Sequence, residues 1–234
     1  MRRCDDGGVT GFVDIYCERT EAGLWAEPLN LLTNAAFLLA AAAAAARFAG
    51  APGLTLRNAW DLALLIALLA AIGVGSGLWH AFAQPWAELA DTMPILLFIS
   101  VYLPSFLHRA AGLRAAAIVA LFVAFQAVNF GIRGVFPPET LNGSIFYAPA
   151  WLGLALMALG LALRRHALAG RLATAWAVFS VSLAFRTVDA VVCAAFPLGT
   201  HFLWHLLNAL LLFLLLDALI AARGAEAGVP RSQA

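Results

Sequence analysis

Seven apolar stretches follow one another along the chain, and short polar connections separate them. Each stretch has the length of about twenty residues that a helix needs to cross about 30 Å of hydrocarbon. The pattern predicts transmembrane helices over residues 29–49, 59–82, 92–108, 113–132, 145–163, 172–193 and 200–222. It also predicts three regions: an acidic N-terminal segment (1–27), a single all-α membrane domain (28–222) and a disordered tail (223–234).

Composition places the chain among integral membrane proteins. Hydrophobic residues make up 63% of the sequence, charged residues make up 12%, and the mean hydropathy is +0.88. These values lie far from the averages of soluble domains. No nucleic-acid-binding basic patch and no phosphate-binding glycine loop occurs, so we expect membrane lipid rather than nucleic acid as the partner.

Charge patterning predicts the orientation. Every basic residue other than histidine is arginine, which suggests a GC-rich bacterial source and therefore a bacterial cytoplasmic membrane. The arginines gather in alternate connections, and the positive-inside rule assigns those connections to the cytoplasm. The N-terminus is then outside and the C-terminus cytoplasmic. The arginines that set this orientation are Arg47, Arg57, Arg109, Arg114, Arg164, Arg165, Arg171, Arg223 and Arg231.

Three histidines fall at the predicted outer ends of two helices. His80 lies near the end of the second helix, and His201 and His205 stand at i and i+4 on one face of the seventh. Their shared depth allows the three imidazoles to close around one metal ion. Three neutral imidazoles with a fourth position open to water are typical of a catalytic zinc site. His108 and His166 lie in the inner connections and provide internal controls.

Two further polar residues share this depth. Ser76 lies one helical turn before His80, and Asp91 lies at the predicted outer start of the third helix. Zinc lowers the pKa of bound water towards about 7 and polarises a carbonyl, so a nearby carboxylate can carry the proton. We therefore expect Asp91 to carry the proton and Ser76 to hydrogen-bond the oxyanion.

Each of these residues also has a structural interpretation. Asp91, three residues before Pro94, can be the N-cap of its helix. Ser76, between Gly75 and Gly77, can belong to a small-residue packing seam. A single histidine near a helix end is more often an interfacial residue than a ligand. The joint pattern favours a site, because ionisable groups inside a membrane bundle are costly.

The same residues resemble the alkaline ceramidase family, part of a superfamily of seven-helix membrane hydrolases that includes the adiponectin-receptor-like proteins. The matching motifs are Gly-Ser-x-x-x-His (Ser76, His80), Asp-x-x-Pro (from Asp91) and the final His-x-x-x-His (His201, His205). The resemblance covers nearly the whole chain. It implies that the three histidines bind zinc, with the serine and the aspartate assisting.

The N-terminal segment is similar to the ceramidase segment that binds calcium close to the zinc. Its matches are a cysteine-glutamate pair and a Glu-x-x-Asn-x-x-Thr-Asn stretch, and carboxylates are ligands that calcium prefers. The resemblance implies a calcium site formed by Asp14, Tyr16, Glu18, Thr20 and Glu27, with Tyr16 contributing its backbone carbonyl.

This segment also departs from the family pattern. Asp14 is one residue further from the cysteine, Tyr16 stands where tryptophan is usual, and Thr20 stands where asparagine is usual. The spacing from Cys17 to Glu27 is shorter as well. The alternative is a solvated acidic segment that caps the first helix.

The resemblance further implies a disulfide bond between Cys17 and Cys193, because Asp-x-x-x-Cys at 189–193 resembles a ceramidase motif whose cysteine bonds the N-terminal one. Both cysteines lie on the predicted outer side, where such a bond can form. Cys4 is then free. Arg186 and Asp189, at i and i+3, are expected to pair.

Together these features predict a zinc-dependent intramembrane amidohydrolase, with calcium as a second ion. Its substrate would be a ceramide or another N-acyl lipid, cleaved at the outer side to a fatty acid and a sphingoid-type base. The alternative is a receptor-like or structural zinc protein of the same superfamily with little hydrolase activity. The acidic segment and the set of Ser76, His80 and Asp91 favour the enzyme, because a structural site does not require them.

Overall fold

The protein is a helical bundle whose seven spans follow the predicted apolar stretches. The computed structural model describes residues 2–3, 13–21 and 23–227. Its helices are α1 (Pro28–Thr33), α2 (Ala35–Ala49), α3 (Trp60–Phe82), α4 (Pro85–Arg109), α5 (Ala115–Val135), α6 (Ala148–Leu163), α7 (Ala169–Val192) and α8 (His201–Ala227), with a 3₁₀ helix at Thr140–Tyr147 before α6. Helices α1 and α2 form one span, and the 3₁₀ helix and α6 form another. Within the described residues, seven segments are thus long and apolar enough to cross a membrane, as expected of a multi-pass membrane protein.

Several boundaries differ from the sequence-based prediction. Helix α4 begins at Pro85 rather than at 92, since proline is favourable in the first helical turn, where no backbone N–H is needed. The first span is interrupted at Asn34. Helix α8 continues to Ala227, beyond the predicted end at 222, so the predicted disordered tail lies partly in this helix and otherwise outside the described residues.

Helices α3 and α8 form the centre of the bundle. Within the most apolar stretch of each span, 50% of α3 and 61% of α8 is buried, whereas no residue of α5 is buried. The apolar core between the central helices includes Leu62, Leu65, Leu69, Leu216 and Leu219. Helix α5 therefore lies at the periphery, and the polar residues of α3 and α8 lie inside.

A glycine brings α3 and α4 into backbone contact. A Cβ at Gly75 would collide with the carbonyl of Ala90, so only glycine permits this approach. The residues that follow these two in sequence are Ser76 and Asp91. The close approach therefore sets these two side chains beside each other.

The described part of the N-terminal segment lies over the end of the bundle where α3 ends and α4 begins. Strand β2 (Val13–Asp14) pairs antiparallel with β1 (Arg2–Arg3), and the N–H of Val13 donates to the carbonyl of Ala83 at 3.0 Å. Val13 and Tyr16 pack against Trp79 and Ala87. Both apolar contacts and hydrogen bonds thus fix the segment to the bundle.

A disulfide bond joins this segment to the end of α7. It links Cys17 to Cys193, whose Cα atoms are 5.2 Å apart, which confirms the predicted pair. Cys4, predicted to be free, lies outside the described residues.

Arginine–aspartate pairs mark the opposite end of the bundle. Asp61 at the start of α3 binds Arg109 at the end of α4. Asp217 of α8 accepts from Arg47 Nε at 2.9 Å and lies 3.7 Å from Arg171. These arginines belong to the connections that the positive-inside rule assigns to the cytoplasm.

Candidate metal centre

Three imidazoles meet at the end of the bundle beneath the N-terminal segment. His80 lies in the last turn of α3, and His201 and His205 lie in the first two turns of α8. Their exposed fractions are 1%, 2% and 1%. One ring nitrogen from each lies within 4.8 Å of the other two, which is close enough for one ion to reach all three.

Hydrogen bonds to the outer nitrogens fix the protons on two of the rings. His80 Nδ1 is 2.6 Å from Glu27 Oε2, so it carries the proton that the carboxylate accepts. Thr33 Oγ1 donates to the carbonyl of Leu29 at 2.8 Å and therefore accepts from His205 Nδ1, 3.0 Å away. With one proton on each ring, held on Nδ1, the Nε2 atom of both rings is a bare acceptor.

These two acceptors face each other. His80 Nε2 and His205 Nε2 are 3.1 Å apart, and two lone pairs cannot hydrogen-bond to each other. In addition, Nδ1 of buried His201 has no hydrogen-bond partner among the described residues. A cation coordinated by the three rings would satisfy the two facing Nε2 atoms. The residues present therefore fit a metal ion of the kind that prefers imidazole, such as zinc.

Glu27 is the carboxylate that orients His80. Burial alone would raise the pKa of Glu27, but the hydrogen bond from His80 and the charge of Arg19 lower it. The carboxylate is thus ionised and holds the Nδ1–H tautomer of His80. Carboxylate–histidine pairs of this kind set ring orientation in metal sites.

Tyr16 covers the third imidazole. Its ring stacks on His201 with centroids 3.9 Å apart and an interplanar angle of 29°. Burial raises the pKa of Tyr16 to about 12, so its hydroxyl stays neutral at physiological pH. The hydroxyl lies within hydrogen-bonding reach of Arg186.

Ser76 and Asp91 stand together at the edge of this centre. The Ser76 hydroxyl is within hydrogen-bonding reach of the Asp91 carboxylate, which also interacts with His80 and with the Arg186 guanidinium. The N-cap interpretation of Asp91 is wrong, because α4 begins at Pro85 and Asp91 lies inside the helix. Its carboxylate therefore does not cap the N-terminus of α4.

Arg186 does not pair with Asp189, contrary to the sequence-based expectation. Among the described residues no ion pair joins them. Instead the Arg186 guanidinium lies 5.4 Å from the ring centroids of both Tyr147 and Trp204. The i, i+3 spacing on α7 could not indicate these contacts, because the aromatic partners come from other segments.

Asp189 caps α8 instead. Its Oδ1 accepts from the backbone N–H groups of Thr200 at 2.6 Å and His201 at 2.9 Å, and its Oδ2 accepts from Cys17 N at 3.3 Å. Gly199 has φ +64°, and a Cβ there would strike the Asp189 carboxylate. The cap thus fixes the first turn of α8, which carries His201.

The five residues of the predicted calcium site do not form an open ligand set. Glu18 caps α1: its two oxygens accept from Leu29 N at 2.6 Å and Asn30 N at 2.8 Å. The Tyr16 carbonyl accepts from Arg19 N at 3.3 Å. Thr20 is exposed and Asp14 lies in β2. The calcium site stays a prediction, and these donors fit such an ion poorly.

An apolar cavity begins one helical turn from the polar centre. Its walls include Ile72, four residues before Ser76, and Ile95, four residues after Asp91. Asn208, three residues after His205, also lines it, together with residues of α4, α5, α6 and α7. Four residues along a helix advance about 6 Å, so the cavity extends from the histidines towards the bundle interior.

Sequence comparison adds no relative to this description: no protein-family model matches the chain, and no curated protein matches it either.

Proposed function

We propose that the protein is a zinc-dependent intramembrane amidohydrolase acting on an N-acyl lipid. The observation that carries the proposal is the facing pair of imidazole acceptors, His80 Nε2 and His205 Nε2, beside the Asp91 carboxylate. A metal site without a reaction needs no such carboxylate. The resemblance to alkaline ceramidases on these same residues supports the same reaction.

His80, His201 and His205 would hold the zinc ion. When bound, zinc activates water and polarises an amide carbonyl. Glu27 and Thr33 keep two of the ligands in the tautomer that presents Nε2. These partners would hold the two rings with Nε2 facing the ion.

Asp91 would take a proton from the attacking water and deliver it to the leaving nitrogen. The products are then a carboxylic acid and a free amine, and the carboxylate returns to its starting state. The Ser76 hydroxyl, which is within reach of Asp91, would donate to the carbonyl oxygen as negative charge develops there.

The cavity would receive the acyl chain of the substrate. Its apolar walls start one turn from Ser76 and Asp91, so a chain inside it would leave its amide at the level of the histidines. Helix α5, with no buried residue, lies beside the cavity through Phe125. A ceramide or another N-acyl lipid, with an amide next to a long chain, fits this shape.

The metal centre would face the outer side of a bacterial cytoplasmic membrane. The Arg–Asp pairs lie at the opposite end, as the positive-inside rule requires of the cytoplasmic face. Reporter fusions after Glu139 and Arg165 check this orientation. We expect the first to report outside and the second inside, and the reverse result would move the centre to the cytoplasmic side.

The reaction is tested by incubating detergent-solubilised protein with ceramides, N-acyl amino lipids and lipid esters and following fatty-acid release by mass spectrometry. Asp91→Asn should lower turnover by about 10² to 10⁴-fold and keep its zinc, because it removes a proton carrier and no ligand. Ser76→Ala should lower it by about 10² to 10³-fold. Asp217→Asn, at the other end of the bundle, is the matched control and should stay near wild type.

Two outcomes would overturn the proposal. One is wild-type protein with full zinc that releases no fatty acid from any lipid, which would favour the receptor-like alternative. The other is Asp91→Asn with wild-type turnover.

A further inference from the structure

One cation is buried within the N-terminal segment itself. Arg19 is 3% exposed, and its Nε lies 2.5 Å from Glu27 Oε1. Its Nη2 donates to the backbone carbonyl of His80 at 2.7 Å. The guanidinium thus contacts both Glu27, whose carboxylate orients the His80 ring, and the backbone of His80 itself.

The carboxylates around it are already occupied. Calcium needs six to eight oxygen ligands. Both oxygens of Glu18 accept backbone N–H groups, and Glu27 accepts from Arg19 through Oε1 and from His80 and Asn30 through Oε2. An added divalent ion would have to displace these donors and would meet the positive charge of Arg19.

We propose that Arg19 takes the place of a calcium ion in this protein and acts as a positioning residue for the metal centre. Its charge neutralises Glu27 in a buried site, where an unpaired carboxylate is costly. Its second nitrogen satisfies a carbonyl in the last turn of α3, where helix carbonyls lack intrahelical partners and a cation is favourable. One side chain therefore fixes Glu27 and the end of α3 together.

This inference rests on the metal centre and not on the hydrolase reaction. Lipid turnover is therefore not used to test it. Purified zinc-loaded protein that cleaves no lipid would leave it standing, because its readouts are zinc affinity and the response of thermal stability to calcium.

The test compares Arg19→Met with Arg57→Met, which removes an exposed arginine in the connection between α2 and α3. Arg19→Met should weaken zinc binding by about 10 to 100-fold, as loss of a group supporting a metal ligand does, and Arg57→Met should not change it. Zinc affinity is measured by chelator competition well below the melting temperature. The wild-type Tm should not change on addition of calcium chloride.

A double variant separates positioning from general stability. In Glu27→Gln protein, Arg19→Met should cause a smaller further loss of zinc affinity than in the wild type, because part of the effect of Arg19 passes through Glu27 and only the His80 carbonyl contact remains. Additive losses would show that Arg19 acts elsewhere. Arg19→Lys should restore affinity only in part, since one ammonium lacks the forked geometry that reaches both acceptors.

Three results would overturn the inference: a saturable rise of the wild-type Tm with calcium, equal zinc affinity in Arg19→Met and Arg57→Met, or additive losses in the double variant. If Arg19→Met fails to fold, the Arg19→Lys affinity and the wild-type calcium response still decide. If the wild type binds no zinc, the response of its Tm to calcium alone tests whether Arg19 takes the place of a calcium ion.

Discussion

Acidic side chains have different roles at the two ends of the bundle. At the arginine end, Asp61 and Asp217 each meet a guanidinium. At the histidine end, Glu18 and Asp189 cap helices, and Glu27 supports an imidazole. The carboxylates at the first end neutralise charge, whereas those at the second hold other groups in position, and Glu27 also pairs with the charge of Arg19.

The difference shows where chemistry can take place. Asp61 and Asp217 at the arginine end each have a counterion, so neither carboxylate is available to bind another ligand. At the histidine end, within the described part of the chain, no cationic side chain forms an ion pair with Asp91, and the Nε2 atoms of His80 and His205 face each other. Both carboxylate oxygens of Glu18, Glu27 and Asp189 accept hydrogen bonds. The imidazole Nε2 atoms of His80 and His205, in contrast, face each other. That combination marks a preorganised site rather than a structural ion network.

The largest effect should follow removal of a ligand. Purified wild-type protein should contain about one zinc per chain, and His80→Ala or His205→Ala should lose it, because two imidazoles remain of the three that hold the ion. His108→Ala is the matched control, since His108 is exposed near the arginine end and should keep full zinc. Elemental analysis measures the zinc, and unchanged zinc in both ligand variants would remove the distinction between the ends.

A smaller effect should follow from moving α3 away from α4. Gly75→Ala forces the helices apart, because its Cβ would overlap the carbonyl of Ala90. A displacement of about 1 Å between Ser76 and Asp91 should lower kcat by about 10²-fold, with zinc retained. Gly77→Ala is the control in the same turn, since its Cβ would meet Leu31 at an ordinary 3.7 Å. Equal kcat in the two variants would show that the contact does not set the geometry.

The smallest effect concerns the cavity between the two ends. Gly153 lines it, and a Cβ at Gly153 meets no atom within 4 Å, so Gly153→Leu should fill space without distorting α6. We expect kcat/KM for long acyl chains to fall at least about tenfold relative to short chains. Gly160→Leu is the control on the same helix, open in the same way but outside the cavity lining. A shift of chain-length preference in both variants, or in neither, would place the acyl chain elsewhere.

Much of the fold was predictable because each membrane span corresponds to a run of apolar residues. The seven spans follow from length and hydropathy, and the meeting of His201 and His205 follows from their i, i+4 spacing. The Cys17–Cys193 bond came from resemblance, since composition alone allows any pairing of the three cysteines.

The partners of the imidazoles were not predicted. Glu27 was assigned to calcium and Thr33 to no role, yet both bind histidines of other helices. Helical spacing gave one available signal: Glu27, Asn30 and Thr33 recur at i, i+3 and i+6 on an otherwise apolar span and so share one face. Which neighbour that face meets depends on the rotation of the helices in the bundle, which periodicity does not encode.

The disulfide bond has a consequence for biogenesis. Its two cysteines are 176 residues apart, with six spans between them. An even number of crossings returns the chain to the side on which it started, so the bond is compatible only with an even count of inserted helices before Cys193. At roughly 5 to 20 residues per second of synthesis, the N-terminal segment waits roughly 9 to 35 s for its partner to emerge. The cover over the histidines is therefore sealed late, after six spans have been inserted and in the compartment that supplies the oxidant.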